Sequence, residues 1–479
     1  MKKITCIILA TIMVLGLCAC AQGGAQASAT FQAGFGRVNI TPKYSVPLAG
    51  YGNTSERMSQ DFLSYLFATC IAVTDETGST ALLITTDVIA VATGHIERIR
   101  QAVTEATGVP ADRIFVQGTH THSGPDIWSS EPAIGKYIPE YIAGIAKAAA
   151  DAMADRSPAT METGVGYTEG LNFVRHYTTS AGTLYGDNLT LPNGATITGH
   201  TSEPDNEIQL ICFKRAAEDK KDILAVNWQA HAKLDSSGET AEGQANRPRL
   251  SADYVGAVRD YVETNTDCLF AFYLGAAGNL NANSKMAAEN VSTECKVFGK
   301  ALGNHILEGM KSLAPVETGV VKAVQRKVLI PIDHSEDALA AEAAQVYNHW
   351  KETNDYAGAM KLAEGTEIKS PYHAMSIVSR SQNTSKGRNI EMNAIRIGSV
   401  GFITAPYEMF DTNGMAIKDA SPFDTTFIMT CSNGHNDYIA AAYAFENGGS
   451  YEVHNRVFAK GTAEDLQNQY IAMLNELKG

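Results

Sequence analysis

Paired cysteines are missing from this chain. Its eight cysteines contain no Cys-x-x-Cys pair, so the usual spacing of a structural zinc or a redox dithiol is absent. Proline is scarce at 15 residues and charged residues make up only 19%, which argues against a disordered or collagen-like chain. No internal repeat and no clear interdomain linker is visible after residue 30. Positive charge is also short, with 38 basic residues against 52 acidic ones. Such a surface repels nucleic acid and anionic lipid headgroups, so neither is expected as the main partner.

What is present is a chain of 479 residues, 44% of them hydrophobic. That is enough for one large domain or two or three small ones, with a sizeable core. The first residues read as a targeting segment. Lys2 and Lys3 precede an apolar run from Ile4 to Leu17, too short for a comfortable membrane span. Leu17-Cys18-Ala19-Cys20 follows and resembles a bacterial lipobox, with Cys20 as the lipidated residue. The alternative is an ordinary signal peptide cut near Ala25 to Ser28. The lipoprotein reading divides the chain into a leader at 1–19, a tether at 20–30 and a mature domain at 31–479. It implies export and a membrane contact through the lipid. Without the leader's two lysines the net charge is near −16.

Five cysteines remain beyond the leader: Cys70, Cys212, Cys268, Cys295 and Cys431. One or two disulfides are possible outside the cytoplasm. Buried thiols are at least as well supported, because Cys70, Cys212 and Cys268 sit in apolar, strand-like runs.

Strands and helices alternate along the chain. Phe67–Val73 and Thr80–Ile89 read as a hairpin pair. A helix with Ile96, Ile99, Val103 and Ala106 on one face ends at Gly108. Arg113–Thr121 reads as a strand and Tyr141–Ala154 as an Ala-rich helix. Further strands are expected at Ala225–Gln229, Cys268–Leu274 and Ala394–Thr404, and helices at Ser251–Glu263, Ser292–Lys311 and Ser335–Thr353. A last helix, Ala463–Lys478, is expected with Thr462 as its cap. The polar stretches 186–205 and 363–388 read as long surface loops.

The candidate chemistry starts at Thr119-His120-Thr121-His122-Ser123-Gly124-Pro125. If the strand continues through it, His120 and His122 share one face. Two imidazoles at a strand end can bind a metal, or divide labour between ligand and proton carrier; a structural histidine pair is as good a reading of this string alone. Three other apolar strands end in polar residues. Val226-Asn227-Trp228 leads to His231. Gly401 to Ala405 leads to Pro406-Tyr407-Glu408. The fourth leads into Cys431 to Tyr438. Two histidines, a carboxylate and an open position is a known catalytic zinc pattern.

These strings resemble the catalytic domain of the neutral/alkaline ceramidases. The resemblance runs through Gly34-Phe35-Gly36-Arg37, Ile40-Thr41-Pro42, Leu48-Ala49-Gly50-Tyr51 and the Thr119–Pro125 string. It continues through Asn227-Trp228, His231, Leu250–Tyr254, Gly275–Asn283, Pro406-Tyr407-Glu408 and Asn433–Tyr438, in the family's order. It implies an α/β (mixed α+β) fold: one large domain with central mixed sheets flanked by helices and a metal site at strand ends. It implies a zinc ion held by His120, His231, Glu408 and Tyr438, with His122 beside it. Arg175, in Asn172-Phe173-Val174-Arg175, is then placed to hold a substrate oxygen, and Tyr438 to help it.

Three departures stand out. Asn281 occupies the position of the family's serine, and asparagine cannot act as a nucleophile; Ser284 is out of register. Glu408 follows tyrosine rather than glycine. The family's C-terminal immunoglobulin-like domain is not expected here. The expected function is metal-assisted hydrolysis of a small-molecule or lipid amide, which needs no serine. The rivals are a hydrolase of the same fold acting on another amide or ester, and a non-catalytic surface-binding lipoprotein.

Overall fold

The computed structural model describes residues 30–51, 57–182, 191, 194–235, 248–283, 291–446 and 449–479, with the backbone alone at 291–294. The leader, Cys20, residues 20–29 of the tether and Ser284 lie outside the described residues.

The strands are β1 (Gln32–Asn39), β2 (Phe67–Thr74), β3 (Thr80–Thr86), β4 (Ile114–Gly118), β5 (Ser157–Tyr167), β6 (Asn172–Val174), β7 (Glu207–Arg215), β8 (Asp222–Trp228), β9 (Cys268–Leu274), β10 (Leu280–Ala282), β11 (Val321–Ile330), β12 (Arg388–Ile397), β13 (Val400–Thr404), β14 (Glu408–Met409), β15 (Thr425–Met429) and β16 (Tyr438–Ile439). A nine-stranded sheet runs in the order β9-β8-β7-β5-β1-β2-β3-β4, with Ala314–Val316 paired to β5 as a branch. Its pairs are antiparallel except β8 with β9 and β3 with β4. A second sheet, β11-β12-β13-β15, closes with the parallel pair β13 and β15.

The two sheets pack face to face, and alternation along each strand explains why. In β2, Ile71 and Val73 face the second sheet, while Ala68, Cys70 and Ala72 face helices α1 (Ile96–Thr107) and α2 (Pro132–Ala154). In β9, Ala271 and Tyr273 point between the sheets, and Phe270, Phe272 and Leu274 point to α3 (Asp253–Asn265) and α4 (Val291–Gly309). Phe402, Phe427 and Met429 close the inner layer from the second sheet. Ile403 and Ile428 face outward, against Leu466, Tyr470 and Met473 of the last helix. Four layers result: helix, sheet, sheet, helix. Both faces of the central strands are buried, so they read as continuous apolar runs rather than as polar–apolar alternation.

This is the expected mixed α+β architecture, with a large mixed sheet flanked by helices. Several local expectations are corrected. Ala394–Thr404 is two strands, because Gly398 turns with φ 58° between β12 and β13. The β2–β3 hairpin forms, but its second strand stops at Thr86 rather than Ile89. Residues 363–388 are not one loop. Pro371–Ser381 is α6 in an order that continues α5 (Ala340–Thr353); Ser370 Oγ caps it, and Ala374 and Ile377 are buried. The last helix begins at Thr462 itself, with Gly461 as its cap and no side-chain cap bond. The five cysteines Cys70, Cys212, Cys268, Cys295 and Cys431 are all buried and free. Among the described residues no helix is long and apolar enough to cross a membrane.

Candidate metal centre

The C-terminal ends of strands from both sheets meet at one place. β4 leads to His120, β8 to His231, β13 to Glu408 and β15 to the loop 431–438. Gln117 ties the sheets together there: fully buried, it donates to the carbonyls of Leu274 and Thr430. Asn227 does the same toward Tyr273 and Ile428. Small bridges then stitch the loops. Glu408 and Tyr438 are directly paired across β14 and β16. His231 bridges Asn281, and Thr121 bridges Ala232.

The His-Thr-His string is not part of the strand, as its alternation suggested. β4 ends at Gly118, and His120 has a left-handed backbone with φ 67°. A turn, not strand periodicity, brings His120 and His122 together. Cys431 (φ 53°), Asn433 (φ 59°) and Asp437 (φ 55°) are left-handed too. Such backbone strain in non-glycine residues persists where the surroundings impose it, and it collects at functional sites.

His120 Nδ1 lies 2.8 Å from Ile89 O, and His231 Nδ1 lies 2.9 Å from Ala277 O and 3.0 Å from Leu280 O. A carbonyl only accepts, so Nδ1 carries the proton on both rings. In the neutral imidazoles each Nε2 is then a lone pair. Glu408 Oε2 lies 3.3 Å from His120 Nε2 and 3.1 Å from His231 Nε2. Three acceptors therefore converge in a buried place, and neither His120 Nε2 nor Glu408 Oε2 has a hydrogen-bond partner. Only a proton or a cation resolves this repulsion. Ligands on a tetrahedral ion with bonds of about 2.0–2.1 Å are separated by about 3.3 Å, which these distances match. The Nδ1 contacts to carbonyls are also the outer support expected of metal-binding histidines. The residues fit a metal ion.

His122 completes a triad whose ligand atoms lie within 4.8 Å of one another. Its environment differs, however. Both its ring nitrogens are buried without a hydrogen-bond partner, so nothing selects its tautomer. Gly50 (φ 97°) backs it: a Cβ there would stand 2.4 Å from His122 Nδ1. The Leu48–Tyr51 string is thus a close-fitting wall, and Tyr51 packs edge-on against the ring at 5.4 Å.

Charge follows geometry. Burial opposes protonation of His120, but the Glu408 carboxylate and the Cys431 sulfur outweigh it and raise its pKa well above the usual value. Burial, then Arg175 and His120, pulls His231 down to about 4. Burial and the two neighbouring histidines push His122 well below its usual value. Burial favours neutral Glu408, yet His120 and His231 hold it well below the carboxylate range.

Arg175 and Tyr438 both lie beside His231. Arg175 Nη2 donates to Tyr438 Oη at 3.1 Å and to Gly278 O at 2.8 Å, and its Nη1 lies 3.4 Å from His231 Nε2. Tyr438 Oη is 3.3 Å from His231 Nε2. Burial and the Glu408 charge raise the Tyr438 pKa well above the tyrosine value, so it keeps its proton. Asn281 is buried in β10, opposite Phe173 of β6 and next to His231. Sequence reasoning missed Glu452. It is fully buried and accepts from Arg175 Nε at 2.7 Å and His176 Nε2 at 2.8 Å. A carboxylate in Tyr451-Glu452-Val453-His454 carries no motif, so no local signal pointed to it. Sequence reasoning also missed a second buried group, Asp235, Asp253 and Cys295. It braces the His-Thr-His turn: Thr121 Oγ1 donates to Ser251 O, and Ser251 Oγ to Asp235.

No protein-family model and no curated protein matches the sequence. Solved structures do. A neutral ceramidase from Pseudomonas aeruginosa superposes with a TM-score of 0.71 at 16% identity, over 94% of this chain and 75% of that one. The chain shares its fold with neutral ceramidase. A structure described as a ceramidase complexed with C2 gives a TM-score of 0.69 at 17% identity, with the same coverage. The likeness extends over 94% of the present chain in both cases.

Proposed function

We propose that this protein is a zinc-dependent hydrolase of a linear amide. Its reference reaction is the cleavage of an N-acylsphingosine to a sphingoid base and a fatty acid. We further propose that it is exported and held to the membrane through Cys20. One observation carries the enzymatic reading: His120 Nε2, His231 Nε2 and Glu408 Oε2 converge in a buried place at the strand ends of a ceramidase-like fold, and the first and the last have no hydrogen-bond partner. His120, His231 and Glu408 are the metal ligands, with Tyr438 completing the set. Imidazole and carboxylate donors with an open position suit zinc.

Zinc in such a site supplies Lewis acidity, which polarises a carbonyl and makes water a nucleophile near neutral pH. The remaining work falls to side chains. His122 Nδ1 is closed off by Gly50, so Nε2 takes the proton that water gives up and returns it to the leaving amine. Burial keeps His122 neutral and ready to accept. Tyr438 Oη and Arg175 Nη1 donate to the oxygen on which charge develops. Glu408, holding its charge against burial, stays a ligand rather than a proton carrier.

A second reading keeps the metal and changes the substrate. Asn281, beside His231, offers hydrogen bonds where the ceramidases keep a serine, and this favours a different amide or ester.

Purified protein is assayed for metal content and for turnover of ceramides, short N-acyl amides and esters. One zinc per chain and fatty-acid release from ceramide are expected. His120→Ala should lose the metal and at least about 10³-fold in kcat/KM. His122→Ala should keep the metal and lose about 10²–10⁴-fold. A wild-type protein without stoichiometric metal, or an active His120→Ala, overturns the proposal. Turnover of short amides or esters alone favours the second reading. Zinc-loaded protein that binds these compounds without turnover marks a non-catalytic binding protein.

A further inference from the structure

Arg175 poses a problem for the metal centre. Its guanidinium is buried, and Nη1 stands 3.4 Å from His231 Nε2, the nitrogen that also faces Glu408. A permanent positive charge against a ligand nitrogen opposes any cation bound there, and burial removes the water that would screen it. Glu408 alone cannot balance both charges.

Glu452 lies on the other side of the guanidinium. It accepts from Arg175 Nε at 2.7 Å, and its second oxygen accepts from His176 Nε2 at 2.8 Å. His176 is steadied in turn by Tyr443 Oη at 3.3 Å from its Nδ1. Tyr443 meets Asn279, which is anchored on Asp411. A buried chain of polar groups therefore runs from Asp411 through Asn279, Tyr443, His176 and Glu452 to Arg175. The carboxylate that chain brings to Arg175 is Glu452, which sits in the short turn Tyr451–His454, capped by Ser450.

We infer that Glu452 is a positioning residue for the metal centre: it neutralises and orients Arg175, so that the negative charge of Glu408 is left free for the metal ion. The inference rests on the metal reading of His120, His231 and Glu408. Glu452 makes no hydrogen bond to His120, His231 or Glu408 and meets the centre through Arg175.

The test is zinc affinity, measured by chelator competition on the full mature chain. Glu452→Gln keeps the shape and one of the two accepted hydrogen bonds but removes the charge, and should bind zinc about 10–100-fold more weakly. The double variant Glu452→Gln/Arg175→Met removes both charges and should return to within about threefold of wild type. A purely structural role predicts the opposite, with the double variant worse than the single. Glu452→Asp retains the charge and should also stay within about threefold. If Glu452→Gln does not fold, a tenfold loss in Glu452→Asp overturns the inference. Wild-type affinity in Glu452→Gln, or a double variant no better than the single, overturns it as well. A wild-type chain that binds no zinc sinks the metal reading and the inference together; wild-type binding with an unaffected Glu452→Gln sinks the inference alone.

Discussion

Two buried clusters in this protein combine histidine with carboxylates, and they are built on opposite rules. Beside helix α6, Glu336 accepts from His373 Nε2 at 3.1 Å and pairs with Arg380 and with Arg456 at 2.6 Å. Arg456 also reaches Asp333 at 2.8 Å. Every acid there faces a donor. Burial works against the Glu336 charge, but His373 and the two arginines outweigh it and hold its pKa at about 2. At the metal centre His120 Nε2 and Glu408 Oε2 face each other at 3.3 Å, and neither has a hydrogen-bond partner. Burial and charge are common to both clusters. What marks the functional one is that its pairing is incomplete.

The sharpest way to break this contrast is to remove one member from each cluster in metal-free protein. Arg456→Met leaves Asp333 without its arginine and Glu336 with His373 and Arg380 only, and should cost about 3 kcal/mol. His120→Asn takes away the ring beside Glu408 but leaves an amide that can donate to it, and should cost less, about 1–2 kcal/mol. Urea unfolding in the presence of chelator measures both. Equal losses would show that the metal centre is a structural network like the other.

Asp235 and Asp253 offer an intermediate case, two buried acids close together. Burial, then Asp235, pushes Asp253 up to about 7 from the ordinary value of 3.8. Between those values the folded chain binds more protons than the unfolded one. Its stability contribution is therefore present in acid and is lost as pH rises from about 4 to 7, on the order of a few kcal/mol. Asp253→Asn should flatten that part of the stability–pH curve. An unchanged slope in the variant would assign the pH dependence elsewhere.

The smallest effect is expected at the surface. Lys147 and Asp151 form an exposed pair one helical turn apart. Lys147→Ala should change stability by no more than about 0.5 kcal/mol, less at high salt. A larger loss would mean that pairing matters here independently of burial.

Much of the framework was legible in the residues. Ile96–Thr107 and its terminal Gly108, and the strand Cys268–Leu274, follow from periodicity and local backbone preference. The helix Pro371–Ser381 was not, because its buried face of Ala374 and Ile377 is short and set within polar sequence. In the site, the strand-end positions of His120, His231 and Glu408 were readable as candidates. Glu452 was not, since nothing local distinguishes it from any other glutamate.

The sequence by itself determined which strands are buried on both faces, and which polar residues stand at their ends. These are local properties, carried by apolar runs and the residues that stop them. Only the tertiary structure decided that His120 and His122 meet through a left-handed turn rather than along a strand. It also decided that Glu408 and Tyr438 pair across β14 and β16, and that Glu452 stands behind Arg175 at a separation of 277 residues. The physical reason is the same in each case. Convergence of charge depends on how two sheets and their loops pack, and no local propensity encodes that distance.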